Sequence, residues 1–416
     1  MNPIAPTLLA GPVAADPGRA NAPPAIDAGY TLDHKYSRPS GRIYLSGVQA
    51  LVRLPLMQRL RDQAAGLHTG GFISGYRGSP LGGFDLELWR AKQHLESAGV
   101  KFIPGLNEDL GATMVWGTQQ TNLFDGATVD GVYAMWYGKG PGVDRCGDVF
   151  KHGNAAGTSR LGGVLALAAD DHACRSSTLP HGSEGEFVSA LMPILNPAGV
   201  QDILDMGLLG WAMSRFTGRW VGFKTIAETV ESSASVNVNP HQLDIILPAD
   251  FAMPVGGLNI RWPDPPLDQE MRLHKYAVAA ALAFARANHL DKIIFDSPRA
   301  RLGIVTTGKS YLDVLQALEY LGIDHRAAQD IGIRVYKVGM SWPLEPRGIE
   351  QFARGQVGID HGDRHAVDHH LADVHLRQVH TGQPQGQLLE QGLGRGAAVD
   401  RHPHRSPVQH NGAHGR

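Results

Sequence analysis

Two apolar runs, each ending in a glycine turn with a helix-like stretch behind it, constrain this chain more than any other feature. The first, Gly71-Phe72-Ile73-Ser74, runs into Gly75-Tyr76-Arg77-Gly78-Ser79-Pro80-Leu81-Gly82-Gly83. Beyond the turn, Phe84, Leu88, Ala91 and Leu95 recur at helical spacing and predict one buried face. The second run, Lys101-Phe102-Ile103, stops at Pro104-Gly105 and gives way to Leu106-Asn107-Glu108-Asp109. Asn107 suits an N-cap, because its side-chain oxygen can accept a backbone N–H of the first turn. Leu110, Met114 and Trp116 are then expected on the inward face. The order strand, glycine-rich loop, helix, strand, helix is that of an α/β fold with a parallel sheet. It sets Glu108 at the mouth of a helix, just past an extended segment. Position alone gives Glu108 an ordinary part, complementing the helix dipole for a few tenths to about 1 kcal/mol.

The same texture continues. Tyr44-Leu45-Ser46-Gly47 leads into Val48–Leu54 and a helix-like Leu56–Ala65. Val129–Tyr137 reads as a buried strand ending in Gly138-Lys139-Gly140-Pro141-Gly142, and Gly162–Leu167 as another, ending at Asp170-Asp171-His172. Ligands of open α/β sheets gather where strands run out into loops. Lys139, Asp144, Arg145, Asp171, His172, Ser183 and Glu184 are therefore loop-end candidates, each with an ordinary reading as a satisfied loop polar group. The Gly138 loop is a weak nicotinamide signal, since Pro141 removes a donor and no Gly-x-Gly-x-x-Gly spacing results. Prolines and glycines cluster over 254–270 and mark a linker. An alanine-rich helix through Ala287, a strand at Leu302–Thr307, a helix at Tyr311–Leu321 and a strand at Ile333–Val338 then predict a second parallel α/β domain.

Together these stretches resemble the 2-oxoacid:ferredoxin oxidoreductases, and within them the long fused indolepyruvate ferredoxin oxidoreductases. The likeness rests on the Gly-Tyr-x-Gly-Ser-Pro turn, the Asn107-Glu108 helix start, Gly138–Gly142, Asp170-Asp171-His172, Trp220-Val221-Gly222-Phe223-Lys224 and Val230–Ser233, and runs from about Tyr30 to Gly355. It implies a pyrimidine-binding domain of a thiamine-diphosphate enzyme over 29–253 and a smaller transketolase-C-like domain over 271–355. Gly75, Tyr76, Gly78, Ser79, Pro80 and Asn107 would lie beside the cofactor. Glu108 would hydrogen-bond N1′ of its aminopyrimidine and drive loss of the C2 proton. The implied reaction is oxidative decarboxylation of an aryl or branched 2-oxoacid to an acyl-coenzyme A, with electrons passing through iron–sulfur clusters to ferredoxin. Phe72, Ile73, Leu106 and Trp116 are expected to wall the Glu108 pocket.

Other parts of that machinery have no counterpart here. The family's Gly-Asp-Gly motif, which holds Mg2+ and the diphosphate through hard oxygen ligands, is not found; Cys146-Gly147-Asp148-Val149 lacks the second glycine. With Cys146 and Cys174 as the only cysteines, a four-thiolate cluster cannot be built. The expectation is therefore an N-terminal portion that is inactive alone, working as a homo-oligomer or in complex with a diphosphate-binding module. A formal charge of −2 gives no electrostatic case for nucleic acid. No apolar run approaches the roughly 18 residues of a membrane span, and two cysteines suit a reducing cytoplasm.

Both ends read differently. Residues 1–28 are rich in Ala and Pro without periodicity, which predicts a disordered leader. Residues 356–416 have no Phe, Trp, Tyr, Lys, Met or Cys but carry ten of the twenty histidines. That text resembles out-of-frame translation of a GC-rich gene and predicts a disordered tail. Two other classes stay open. His361, His365 and His369, four apart, could make the chain a non-catalytic metal-binding or interaction protein, and the Gly138 loop could make it a nicotinamide-dependent dehydrogenase.

Overall fold

The computed structural model describes residues 27–174 and 179–354. The tail with its histidines, and the leader up to residue 26, fall outside the described residues. A two-stranded antiparallel ribbon pairs β1 (Arg42–Ser46) with β8 (Ser233–Asn237). The main sheet is built from β2 (Gly70–Gly75), β3 (Val100–Phe102), β4 (Val132–Lys139), β5 (Val164–Asp170), β6 (Ile194–Leu195), β7 (Trp220–Ile226) and β12 (Met340–Trp342). Their order is β12-β6-β7-β5-β4-β2-β3. All neighbours are parallel except β12, which runs antiparallel to β6. The expected parallel α/β fold is what the chain forms.

Alternation along β4 shows how the sheet is covered. Tyr133, Met135 and Tyr137 point into one apolar cluster with Leu165, Leu167, Val221 and Phe223. Ala134 and Trp136 point into the other, with Ala166, Ala168, Phe150 and Trp220. Every residue of β5 is buried, the mark of a central strand covered by helices on both faces.

One helix, α1 (Gly47–Ala64), replaces the two segments expected between Tyr44 and Ala65, running through Pro55 without a break. It opens on a capping box: Ser46 Oγ accepts from Gln49 N at 3.2 Å while Gln49 Oε1 accepts from Ser46 N at 3.1 Å. Near its end Asp62, 3% exposed, takes a bidentate pair from Arg215 at 2.7 and 2.8 Å. Thr69 Oγ1 at 2.6 Å and Gln58 Nε2 at 2.8 Å also donate to this carboxylate. Arg215 belongs to α4 (Val200–Thr217), so the pair fastens two long helices to each other and to the start of β2. Phe84, Leu88, Ala91 and Leu95 are buried as their spacing predicts, although the chain divides there into helices Phe84–Arg90 and Lys92–Ser97.

The C-terminal sheet corrects one expectation. It holds β9 (Lys292–Phe295), β10 (Leu302–Thr307) and β11 (Ile333–Val338) in the order β10-β11-β9. β10 and β11 are parallel, but β9 is antiparallel to β11, so the sheet is mixed. A helix-bearing crossover joins β10 to β11 and keeps their direction. Only residues 296–301 join β9 to β10, too few for a crossover, and the chain reverses. Among the described residues no helix is long and apolar enough to cross a membrane.

Candidate functional site

The connections of the main sheet change direction between β2 and β4. From β2 the chain moves outward to β3, then returns past β2 to form β4 on its other side. The crevice beyond the carboxyl ends of β2 and β4 is therefore a topological switch point, where open α/β sheets bind ligands. Gly75 ends β2 and Lys139 ends β4. Over this crevice lies the mouth of α2 (Glu108–Gln119).

Glycine is required for that approach. A methyl on Gly75 would lie 2.0 Å from the Tyr137 carbonyl oxygen, and one on Gly111 would lie 2.9 Å from Gly75 Cα. The helix thus presses its backbone onto the strand end. This explains why Gly111, Ala112 and Val115 form its buried face, with Trp116 packed partly buried against the same cluster as expected, and not Leu110 and Met114. Leu110 is 46% exposed, and Leu106, expected to wall the pocket, is 87% exposed.

Three bonds fix the first turn of α2. Asn107 Oδ1 accepts from Leu110 N at 2.9 Å, the N-cap predicted from sequence. The Glu108 carbonyl accepts from Trp136 Nε1 at 3.1 Å. Arg145 Nε donates to Asp109 Oδ2 at 2.7 Å and ties the turn to the end of α3 (Gly140–Arg145). Asn107→Ala is expected to lower stability by about 1 kcal/mol through loss of the cap, read as a shift in the urea unfolding midpoint without change in its slope.

The Glu108 side chain lies in a glycine cradle. A methyl on Gly142 would sit 2.6 Å from Glu108 Cγ and 2.9 Å from Oε1, and one on Gly138 would sit 3.6 Å from Cγ. The carboxylate is half-buried and has no hydrogen bond or ion pair with a side chain or backbone group among the described residues. A carboxylate whose stem is held and whose oxygens are free can accept a proton-bearing ring nitrogen, so the donor set fits the aminopyrimidine end of a thiamine cofactor.

The Gly-Ser-Pro turn borders the same crevice. Tyr76 N donates to the Tyr137 carbonyl at 3.0 Å while the residue stays 40% exposed. Gly78 rests on the Lys139 stem, where a methyl would come 2.9 Å from Cδ. Ser79 is half-buried and Pro80 buried, with a cis peptide between them. Gly75, Gly78, Asn107 and Glu108 are thus brought together, with Tyr76, Ser79 and Pro80 on the turn beside them.

A second polar cluster lies at the carboxyl ends of β5 and β7. Asp170, wholly buried, accepts from Ser183 Oγ at 2.6 Å and Ser183 N at 3.1 Å. Lys224 Nζ stands 3.4 Å from Asp170 and also bonds Glu184. His181 Nε2 meets Asp144 at 2.8 Å, and its ring occupies the space over Gly140. Of the sequence candidates, Asp144, Ser183 and Glu184 join this cluster and Arg145 joins the α2 mouth, while His172 is exposed. His181 and Lys224 were not singled out. The signal for Lys224 was a lone charge ending the apolar run of β7. His181 had no comparable signal, because the fold alone brings its ring over Gly140.

This packing also corrects the nicotinamide reading of the Gly138 loop. Methyls at Gly138, Gly140 and Gly142 would strike Trp136, His181 and Glu108 within 2.1–2.6 Å. The glycines make room for the protein's own side chains and leave no bed for a pyrophosphate. Among the described residues no three His, Cys, Asp or Glu side chains are grouped to hold a metal ion.

The chain is similar to known proteins both in sequence and in fold. Residues 292–359 match the family described as the indolepyruvate oxidoreductase domain. The chain is 24% identical over 328 residues to the indolepyruvate oxidoreductase subunit IorA of Pyrococcus abyssi, covering 77% of this chain and 45% of that protein. It is 22% identical over 325 residues to the IorA subunit of Methanothermobacter marburgensis, covering 76% and 46%. The chain thus spans slightly under half the length of these relatives. In fold it resembles a 2-oxoglutarate:ferredoxin oxidoreductase from Magnetococcus marinus, solved with 2-oxoglutarate, coenzyme A and succinyl-CoA bound. That match has a TM-score of 0.55 at 13% identity and covers 84% of this chain and 64% of that one.

Proposed function

We propose that this chain, of the indolepyruvate ferredoxin oxidoreductase family, supplies the aminopyrimidine-binding half of a thiamine-diphosphate-dependent 2-oxoacid:ferredoxin oxidoreductase. The single observation that carries the reading is the free Glu108 carboxylate, held by Gly138 and Gly142 at the β2–β4 switch point. When bound, thiamine diphosphate supplies the carbon nucleophile that allows a 2-oxoacid to lose CO2. Glu108 holds or gives a proton at the ring nitrogen N1′. Asn107 and the Asp109–Arg145 pair keep that carboxylate at the crevice, which the Tyr76–Pro80 turn borders. Trp136, buried and donating to the Glu108 carbonyl, holds that residue's backbone in place.

The division into 29–253 and 271–355, joined through 254–270, belongs to the same proposal, and so does a cytoplasmic location. The diphosphate and its Mg2+, the iron–sulfur clusters, coenzyme A and ferredoxin are engaged by parts beyond the described residues, in a homo-oligomer or a complex with a diphosphate-binding module. The chain alone therefore turns nothing over. The experiment is viologen reduction with indolepyruvate or a branched 2-oxoacid, coenzyme A and thiamine diphosphate, by this chain with and without a module matching the relatives' remaining half. Reduction that needs both parts and a 2-oxoacid is expected. Turnover by the chain alone, or none with any 2-oxoacid when both parts are present, contradicts the reading.

A further inference from the structure

We propose that the cavity between the helical turn His34–Ser37, α1 and the helix Lys92–Ser97 is an anion site, taking the carboxylate or phosphoryl group of a small molecule. This site is remote in sequence from the Gly75–Pro80 and Glu108 elements and does not depend on the function proposed for them. The cavity measures about 310 Å3 and is lined by Arg53, Arg59, Tyr36 and His94, among others.

Arg53 is the decisive group. It is 1% exposed, and its Nε is buried without a hydrogen-bond partner. Its other nitrogens donate to the carbonyls of Lys35, at 3.3 Å, and Arg38. Neutral carbonyls satisfy donors but do not balance a charge, and no acidic side chain pairs with Arg53 among the described residues. Burial pulls its guanidinium down to about 10, with the Tyr36 hydroxyl as the one neighbour that opposes this. Arg59, six residues on, repeats the pattern: one nitrogen donates to the Thr69 carbonyl, Nε is buried and unpartnered, and no carboxylate pairs with it.

The nearby carboxylates are already engaged. Glu87 accepts from Tyr36 at 2.7 Å and pairs with Arg90 at 3.2 Å and Lys35 at 3.4 Å. Asp62 is taken by Arg215, and Asp33 faces His94 at 3.1 Å. Uncompensated buried cations are costly, and so are orphaned buried donors. An oxyanion seated in this cavity removes both penalties once the two side chains turn their sealed Nε–H groups toward it. The volume exceeds that of a bare ion and leaves room for a small carrier skeleton beside Tyr36.

The test is thermal unfolding of the full chain in sodium phosphate, sodium acetate and sodium chloride at matched pH and ionic strength. A ligand that binds only the folded state raises the midpoint in a saturable way. Phosphate, acetate or both should do so beyond chloride, and the one saturating at lower concentration identifies the group. Arg59→Gln should abolish the increment while keeping its chloride midpoint near the parent's. Arg53→Met should abolish it as well, and if that variant fails to fold, Arg59→Gln decides. Midpoints that follow ionic strength alike in all three salts overturn the proposal, as does an increment undiminished in Arg59→Gln.

Discussion

Replacing Glu108 by glutamine should lower 2-oxoacid-dependent electron transfer in the assembled enzyme by on the order of 10²–10⁴, the range for a positioned acid–base group. Glutamine keeps the size and the cradle contact with Gly142, and can still hydrogen-bond a ring nitrogen, but cannot exchange a proton with it. If Glu108 served only the helix dipole, the change would cost at most about 1 kcal/mol of stability and leave turnover alone. The free carboxylate argues against that: dipole complementation needs only a charge in the first turn, and Asp109 already provides one beside the same N-cap. Cofactor affinity should fall far less than turnover, because the diphosphate is gripped elsewhere. Steady-state kinetics beside a cofactor titration separate the two effects.

Asp62→Ala should be the most damaging change outside the crevice. It leaves the Arg215 guanidinium, 17% exposed, without its bidentate partner, and strips Thr69 Oγ1 and Gln58 Nε2 of their acceptor. Breaking a buried pair from one side costs about 3–5 kcal/mol, enough to remove a large share of a typical domain's stability. Equilibrium urea unfolding reads the loss as a lower midpoint at unchanged slope. Asp62→Asn, which keeps the shape and one acceptor, should fall between parent and alanine. An alanine midpoint within error of the parent's would mean that the pair does not fasten α1 to α4.

Much of this architecture was legible because each signal was local. The glycine turn after Ile73, the cap at Asn107 and the unbroken apolar run of β5 each act within a few residues, and the chain obeys them. The misreadings arose where a distant segment decides. Helical spacing sets Leu110 on the inward face, whereas the close approach of α2 to Gly75 admits only Gly111, Ala112 and Val115. The C-terminal sheet was expected to be parallel because strands and helices alternate there. The short 296–301 connection reverses β9, and spacing alone does not show which neighbour a strand will choose. The Gly138 loop invited a cofactor reading because glycine marks close approach without naming what approaches; here it is Glu108, His181 and Trp136. Lys224 reaches Asp170 only because β5 and β7 lie side by side, a juxtaposition that no window of sequence contains.

The central claim is that Glu108 moves a proton on the cofactor's aminopyrimidine. Its most direct measure is the rate of hydrogen–deuterium exchange at C2 of bound thiamine diphosphate, compared between parent and Glu108→Gln in the assembled enzyme. Exchange that slows in the variant by a factor comparable to its loss of turnover is the predicted result. Equal exchange rates in the two proteins would contradict it.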